Sequence, residues 1–297
     1  MSNYKNQVSL LLQVLPEVAK EPSFALHGGT AINLFIRDMP RLSVDIDLTY
    51  IPLEDRNTSF QKIVAALGNI KKNLEKVLSE AKITVMDEKL KLLVTTTKAQ
   101  IKIEVNQINR GVIDEVSKLS LCEKAQEDFN AFCVISVVPL GQLYGGKICA
   151  ALDRQHPRDL FDVKYLLQNE GLTNDIIKGL ILCLLSSNRP LHEMLQPQLI
   201  DQRETIVNQF EGMSLEPFTY ENFEKCRAEL IETIHNKLTT KDKEFLISFN
   251  KTIPDWSIHD FERFPAVQWK LLNLNKIKVK NPKKFNQLNA LLETLLN

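Results

Sequence analysis

The chain has 297 residues, enough for one large domain or two ordinary ones, and its 44% hydrophobic and 25% charged residues are an ordinary globular composition. Lysine plus arginine equal aspartate plus glutamate at 37 each, which excludes a global basic field and leaves any nucleic-acid contact to local patches. The five cysteines are odd in number and form no C-x-x-C pair, which argues against a disulfide framework or a zinc ribbon.

From the N-terminus, "MSNYKNQVSLLLQVLPEVAK" carries one short apolar run broken by Pro16, with no cleavage-site pattern after it, so no signal peptide is expected. No uncharged stretch reaches the length of a membrane span, and a cytoplasmic location is the expectation. "SFALHGG" reads as a short strand entering a glycine turn, and "TAINLFIRD" as a helix with Ile32, Phe35 and Ile36 at helical spacing. "SVDIDLTYI" alternates strictly: Val44, Ile46 and Leu48 face one way, Asp45, Asp47 and Thr49 the other. Residues 57–81 read as a helix, followed by three strands in "ITVMDE", "KLLVTTT" and "QIKIEVNQI". In the last of these Ile101, Ile103 and Val105 oppose Lys102 and Glu104. Strand signals end near "FCVISVVPLGQLYGG"; beyond it the apolar positions recur at helical spacing to the C-terminus, with Cys149 and Cys183 as small core residues. The fold class is α+β, a mixed-sheet domain with flanking helices over residues 1–140 and a mainly helical domain over 141–297.

The chemistry concentrates in "LHGGTAINLFIRDMPRLSVDIDLTY". Two glycines ahead of a helix let backbone approach a ligand closely and suit phosphate. Period two then sets Asp45 and Asp47 about 7 Å apart on one strand face, where their repulsion calls for a cation. Magnesium, a hard ion held by a few carboxylates and substrate phosphates, is the common answer. Glycine turn and carboxylate pair together describe a nucleotide-triphosphate site for in-line phosphoryl or nucleotidyl transfer. Taken singly, each feature is more often a plain turn or a solvated strand face.

These residues resemble the nucleotidyltransferase superfamily, and more narrowly the AbiEii/AbiGii-type (MenT-like) nucleotidyltransferase toxin family. The family pattern G-G-T-A, then R-x-S-x-D-x-D, is matched by Gly28, Gly29, Thr30 and Ala31, then Arg41, Ser43, Asp45 and Asp47. "LYGGKICAALDRQHPRDLFDVKYLL" resembles the family's lysine helix and following R-D-x-x-D helix, and "FPAVQWKLLNLNKI" its C-terminal tryptophan segment. The resemblance implies a nucleotidyltransferase-like sheet domain acting as the toxin of a toxin–antitoxin system. Its substrate is an NTP, its metal Mg²⁺ or Mn²⁺, its acceptor the 3′ end of tRNA, and its partner a cognate antitoxin. A protein or small-molecule acceptor, or a catalytically silent RNA- or protein-binding module on the same fold, are the alternatives.

Residue by residue, the resemblance implies that Gly28, Gly29, Thr30 and Ser43 hold triphosphate oxygens and that Asp45 and Asp47 hold the metal, with Glu104 as candidate third carboxylate. Lys147 neutralises phosphate charge, and Asp159 either orients Lys147 or acts as a base on the acceptor hydroxyl. From residues alone, Lys147 reads as opening a helix after Gly145 and Gly146, where a cation is disfavoured. Asp159 reads as a helix-start acid after Pro157, and Asp162 as an i,i+4 partner of Arg158. Arg41 either braces the acidic strand or contacts the nucleotide. None of the five histidines shows metal-ligand spacing, and only His27 lies near the turn. Between Arg263 and Glu293, Lys270, Lys276, Lys278, Lys280, Lys283 and Lys284 are interleaved with Trp269 and Phe285 and no acid, a segment able to follow an RNA backbone or, equally, a solvated helix with its rings turned inward.

Overall fold

The structure, a computed structural model, describes residues 3–297. The chain divides into two compact units. One holds the residues up to Pro139 together with Phe210–Pro217; the other holds Leu140–Gln209 and Phe218–Asn297.

In the first unit helix α1 (Asn3–Val18) leads into β1 (Phe24–His27), a helical turn α2 (Gly28–Ala31) that continues as a π-helical turn (Ile32–Ile36), β2 (Asp45–Tyr50) and α3 (Arg56–Val77). Strands β3 (Lys82–Met86), β4 (Lys91–Thr95), β5 (Gln100–Val105) and β6 (Ser117–Ser120), helix α4 (Glu123–Phe129) and β7 (Val134–Val137) complete it. The seven strands form one mixed sheet in the order β3-β4-β5-β2-β1-β7-β6. The β2–β5 and β1–β7 pairs are parallel and the rest antiparallel.

Period-two alternation decides the faces of this sheet. Ile46, Leu48, Leu92, Val94, Ile101, Ile103 and Val105 are buried, while α1 packs on β2, β5 and β7 and α3 on β3 and β4. Their polar neighbours in sequence therefore lie on the opposite face. Asp55 starts α3 by accepting from the Thr58 backbone N–H at 3.1 Å. The apolar run at the N-terminus forms α1 despite Pro16, because the complete burial of Val8, Leu11, Leu15 and Val18 outweighs the one backbone bond the proline removes. The excursion Phe210–Pro217 returns to this unit through an Arg41–Ser214 bridge and a Leu42 N–H bond to Met213 O at 2.8 Å.

The second unit is helical: α5 (Leu140–Asp153), α6 (Pro157–Asn169), α7 (Asn174–Ser186), α8 (Leu191–Leu195), α9 (Arg203–Gln209), α10 (Tyr220–Lys237), α11 (Thr240–Asn250), α12 (Pro265–Lys280) and α13 (Pro282–Leu296). Thr219 and Thr239 open α10 and α11 with reciprocal capping boxes. Helix α7 is apolar nearly all round and buried, and it crosses α5 with the two backbones in contact. A Cβ on Gly145 would stand 2.2 Å from the Gly179 carbonyl carbon, so only glycine fits there. This corrects the reading of Gly145 as a break before a helix: α5 begins at Leu140, and Gly145 lies inside it as the surface on which α7 rests.

Candidate active site

β2 and β5 lie side by side in parallel, with Asp45 opposite Lys102 and Asp47 opposite Glu104. All four side chains share the polar face of the sheet. Glu104 Oε1 lies 2.8 Å from Lys91 Nζ, and Glu104 Oε2 lies 3.0 Å from Lys102 Nζ, which is also 4.0 Å from Asp45 Oδ1. Burial works against the Lys102 charge, yet Asp45 and Glu104, with Asp47 behind them, hold its pKa above the usual lysine value. Burial likewise pushes the Glu104 carboxyl up, but Lys91 and Lys102 outweigh it and hold the group below the usual value. The sequence placed Lys102 on this face without giving it a role.

The glycine turn closes over the same strand. Gly28 has φ +72°, and a Cβ there would meet Asp47 Oδ2 at 2.5 Å. A Cβ on Gly29 would stand 2.7 Å from Arg41 Nη2 and 3.1 Å from Ser43 Oγ. The glycines open the helical turn themselves instead of preceding it, with His27 at the N-cap position. Thr30 is fully buried; its hydroxyl donates to the Asp45 carbonyl and lies 3.0 Å from Ser43 Oγ. Ser43 and Arg41 are buried too, and an Arg41 N–H donates to Leu42 O at 2.9 Å. The side chains of Thr30, Ser43 and Arg41 thus brace the turn against β2. His27 Nδ1 lies 3.4 Å from Thr49 Oγ1.

Two carboxylates two residues apart on one strand face suit a hard divalent ion that keeps some water and takes further ligands from phosphate. Among the described residues no group of three or more His, Cys, Asp or Glu converges as a metal cage. Asp45 and Asp47 by themselves do not make a closed protein site for such an ion.

A second cluster sits within the helical unit. Lys147 Nζ lies 2.8 Å from Asp159 Oδ1 and 3.0 Å from Asp162 Oδ2, with exposures of 7%, 1% and 0% for the three side chains. Arg154 adds Nε to Asp159 Oδ2 at 2.6 Å and Nη2 to Oδ1 at 3.0 Å. Burial pushes the Asp159 carboxyl up, but Lys147 and Arg154 more than reverse this and hold it far below the carboxylate range. Asp159 does lie in the first turn of α6, after Pro157 and the His156 cap. One sequence reading is corrected here. Lys147 lies in the middle of α5, not at its start. Asp162 also reaches Lys147 across helices, a contact the sequence did not announce. Arg154 had gone unnoticed: its only signal was its place five residues before Asp159.

The lysine-rich C-terminal segment divides. Lys270 is buried, its ammonium donating to Leu184 O at 2.9 Å and to Ser187 O and Arg189 O at 2.8 Å, which ties off the end of α7. Phe285 is buried as well. Trp269, Lys276, Lys280, Lys283 and Lys284 are exposed, with Lys276 Nζ 5.3 Å from the Trp269 ring centre. Lys270 therefore leaves the set that a polyanion can touch.

The fold is that of a nucleotidyltransferase toxin. It matches MenT4, a nucleotidyltransferase toxin from Mycobacterium tuberculosis H37Rv, with a TM-score of 0.64 and 12% identity, over 92% of this chain and 93% of that one. Residues 9–272 match the family described as "Nucleotidyl transferase AbiEii toxin, Type IV TA system", and the chain belongs to that family of nucleotidyltransferase toxins. No curated protein sequence matches the chain significantly. No helix among the described residues is long and apolar enough to cross a membrane.

Proposed function

We propose that this toxin transfers a nucleotide from an NTP to the 3′ end of tRNA, using a divalent ion, Mg²⁺ or Mn²⁺, held by Asp45 and Asp47. The observation that carries the reading is the Gly28 turn set against Asp47: a position with φ +72° whose missing Cβ lets the Asp47 carboxylate lie directly against the turn. Backbone of Gly28, Gly29 and Thr30 faces triphosphate oxygens, and the Thr30 and Ser43 hydroxyls hold the turn in register with β2. A divalent ion held by Asp45 and Asp47 would supply positive charge to offset that of the phosphates during transfer.

Lys147 and Asp159 are the second functional element. A carboxylate bound by two cations and buried is a poor proton acceptor, which favours Asp159 as the residue that orients Lys147 over Asp159 as the base. Lys147 and Arg154 carry the positive charges of this element, balanced by Asp159 and Asp162. For the acceptor, the exposed Lys276, Lys280, Lys283 and Lys284 with Trp269 support RNA, whose backbone needs cations and whose bases stack on an open ring. Membership of a type IV toxin–antitoxin family implies a cognate antitoxin, and the cell compartment that fits an NTP and tRNA is the cytoplasm.

Purified protein incubated with Mg²⁺, each α-³²P-labelled NTP in turn and total tRNA, run on a denaturing gel beside Asp47→Ala, tests the reading. Label on tRNA from one NTP, lost in the variant, is the expected result. Label on the protein redirects the acceptor to protein. No label with no NTP binding by calorimetry overturns the reading in favour of a silent binding module.

A further inference from the structure

On the reading that Asp45 and Asp47 hold the divalent ion, the sheet face carries more charge machinery than that pair. Three carboxylates, Asp45, Asp47 and Glu104, and two ammoniums, Lys91 and Lys102, meet on adjacent strands. Both oxygens of Glu104 are engaged, Oε1 by Lys91 at 2.8 Å and Oε2 by Lys102 at 3.0 Å. Lys102 also reaches toward Asp45 Oδ1, at 4.0 Å. We propose that Lys102 is a built-in counter-ion: with Lys91 it keeps Glu104 off the metal, and its ammonium takes the charge role of a second divalent cation, so that the site takes one ion with the nucleotide.

The charge count favours this. The three carboxylates share one sheet face but do not converge as a metal cage among the described residues, and their three negative charges are what would draw a second ion to Glu104. Two ammoniums reduce the excess to one negative charge. The space between Asp45 and Glu104 already holds a cation. A metal on Glu104 would stand beside the Lys91 and Lys102 ammoniums and be repelled by both. Lys102 is a positioning residue here; it touches neither the metal nor the reacting atoms.

An ordinary cross-strand ion pair would have the same distances, so the test must read metal and not activity. Mn²⁺ binding to the full chain is followed by electron paramagnetic resonance in the presence of α,β-methylene NTP analogues. Wild type and Glu104→Gln are each expected to bind a single ion, with affinities within about threefold of one another, since a true ligand or its support would shift affinity about 10–100-fold. Lys102→Met frees Oε2 of Glu104, with Lys91 still on Oε1, and is expected to bind Mn²⁺ about tenfold tighter, or to take a second ion, and a Lys102→Met/Glu104→Gln double variant should lose that gain. Lys102→Arg keeps the charge and should behave as wild type, a control for folding. Two ions in wild type, a loss of about tenfold or more in Glu104→Gln, or unchanged binding in Lys102→Met each overturns the proposal. Binding in wild type that disappears in Asp47→Asn supports the Asp45–Asp47 site whatever Lys102 does; no binding in wild type overturns both.

Discussion

Replacing Lys147 by Met removes the one ammonium that lies between two carboxylates of 1% and 0% exposure. The intact cluster is neutral: Lys147 and Arg154 against Asp159 and Asp162. The methionine fills similar volume but leaves a buried negative charge. Removing one partner of a buried ion pair destabilises by about 3–5 kcal/mol, because the remaining charge has lost both its solvent and its counter-ion. For a domain of this size each kcal/mol moves the midpoint by about 2–4 °C, so a fall of about 6–20 °C is expected. Far-ultraviolet circular dichroism in a thermal or urea ramp reads it. Lys147→Met with Asp162→Asn restores neutrality and should recover most of the loss, since Asp159 still has Arg154. The pH dependence has a fixed sign. The folded Asp159 pKa lies below its unfolded value of about 3.9, so its contribution is complete above that pH and drains away as the pH falls toward the folded value. Losing Lys147 removes part of what depresses that pKa, so the variant should lose less stability on acidification, and the gap between it and the wild type should narrow as the pH falls below about 3.9. A loss under about 1 kcal/mol, with no recovery in the double variant, would refute the cluster as a tightly coupled buried unit.

Gly28→Ala should cut Mn²⁺–NTP affinity while lowering thermal stability only modestly, about 1 kcal/mol for a side chain at φ +72°, because its Cβ collides with Asp47 Oδ2; calorimetry and a melt separate the two effects. Gly145→Ala should destabilise by at least about 2 kcal/mol by urea titration, since its Cβ meets α7 backbone at 2.2 Å and neither helix can yield without the other. Gly68→Ala, in α3 with nothing within 4 Å of the new methyl, should stabilise by about 0.5–1 kcal/mol in the same assay. Lys270→Met should cost about 2–3 kcal/mol by leaving three carbonyls at the end of α7 without their ammonium. If tRNA is the acceptor, Lys276→Glu and Lys283→Glu should weaken its binding in a filter assay, and Lys270→Met should change it only through stability.

Local pattern was enough for much of this protein. Alternation across Val44–Thr49 fixed which face of β2 is polar, and with it the pairing of Asp45 and Asp47 on one side, because side chains in a strand have no other choice. The glycine pair was visible for the same reason: few residues tolerate what its position demands. What local pattern could not reach was contact between distant segments. Glu104 and Lys102 join Asp45 and Asp47 only because β5 runs parallel to β2, while β3 and β4, which lie between them in sequence, are laid outside β5 in the sheet. The role of Thr30 and Ser43 as braces depends on their burial, which no spacing announces. Gly145 looked like a helix break because a glycine's reason can sit on another helix, here at Gly179. Lys147, Arg154, Asp159 and Asp162 come together across the α5–α6 turn, and Lys270 turned inward to cap α7 where composition alone made it one more surface lysine. Sequence supplied the charges and the faces; tertiary structure chose their partners, because a buried charge is stable only beside a counter-charge or carbonyls that the fold carries to it.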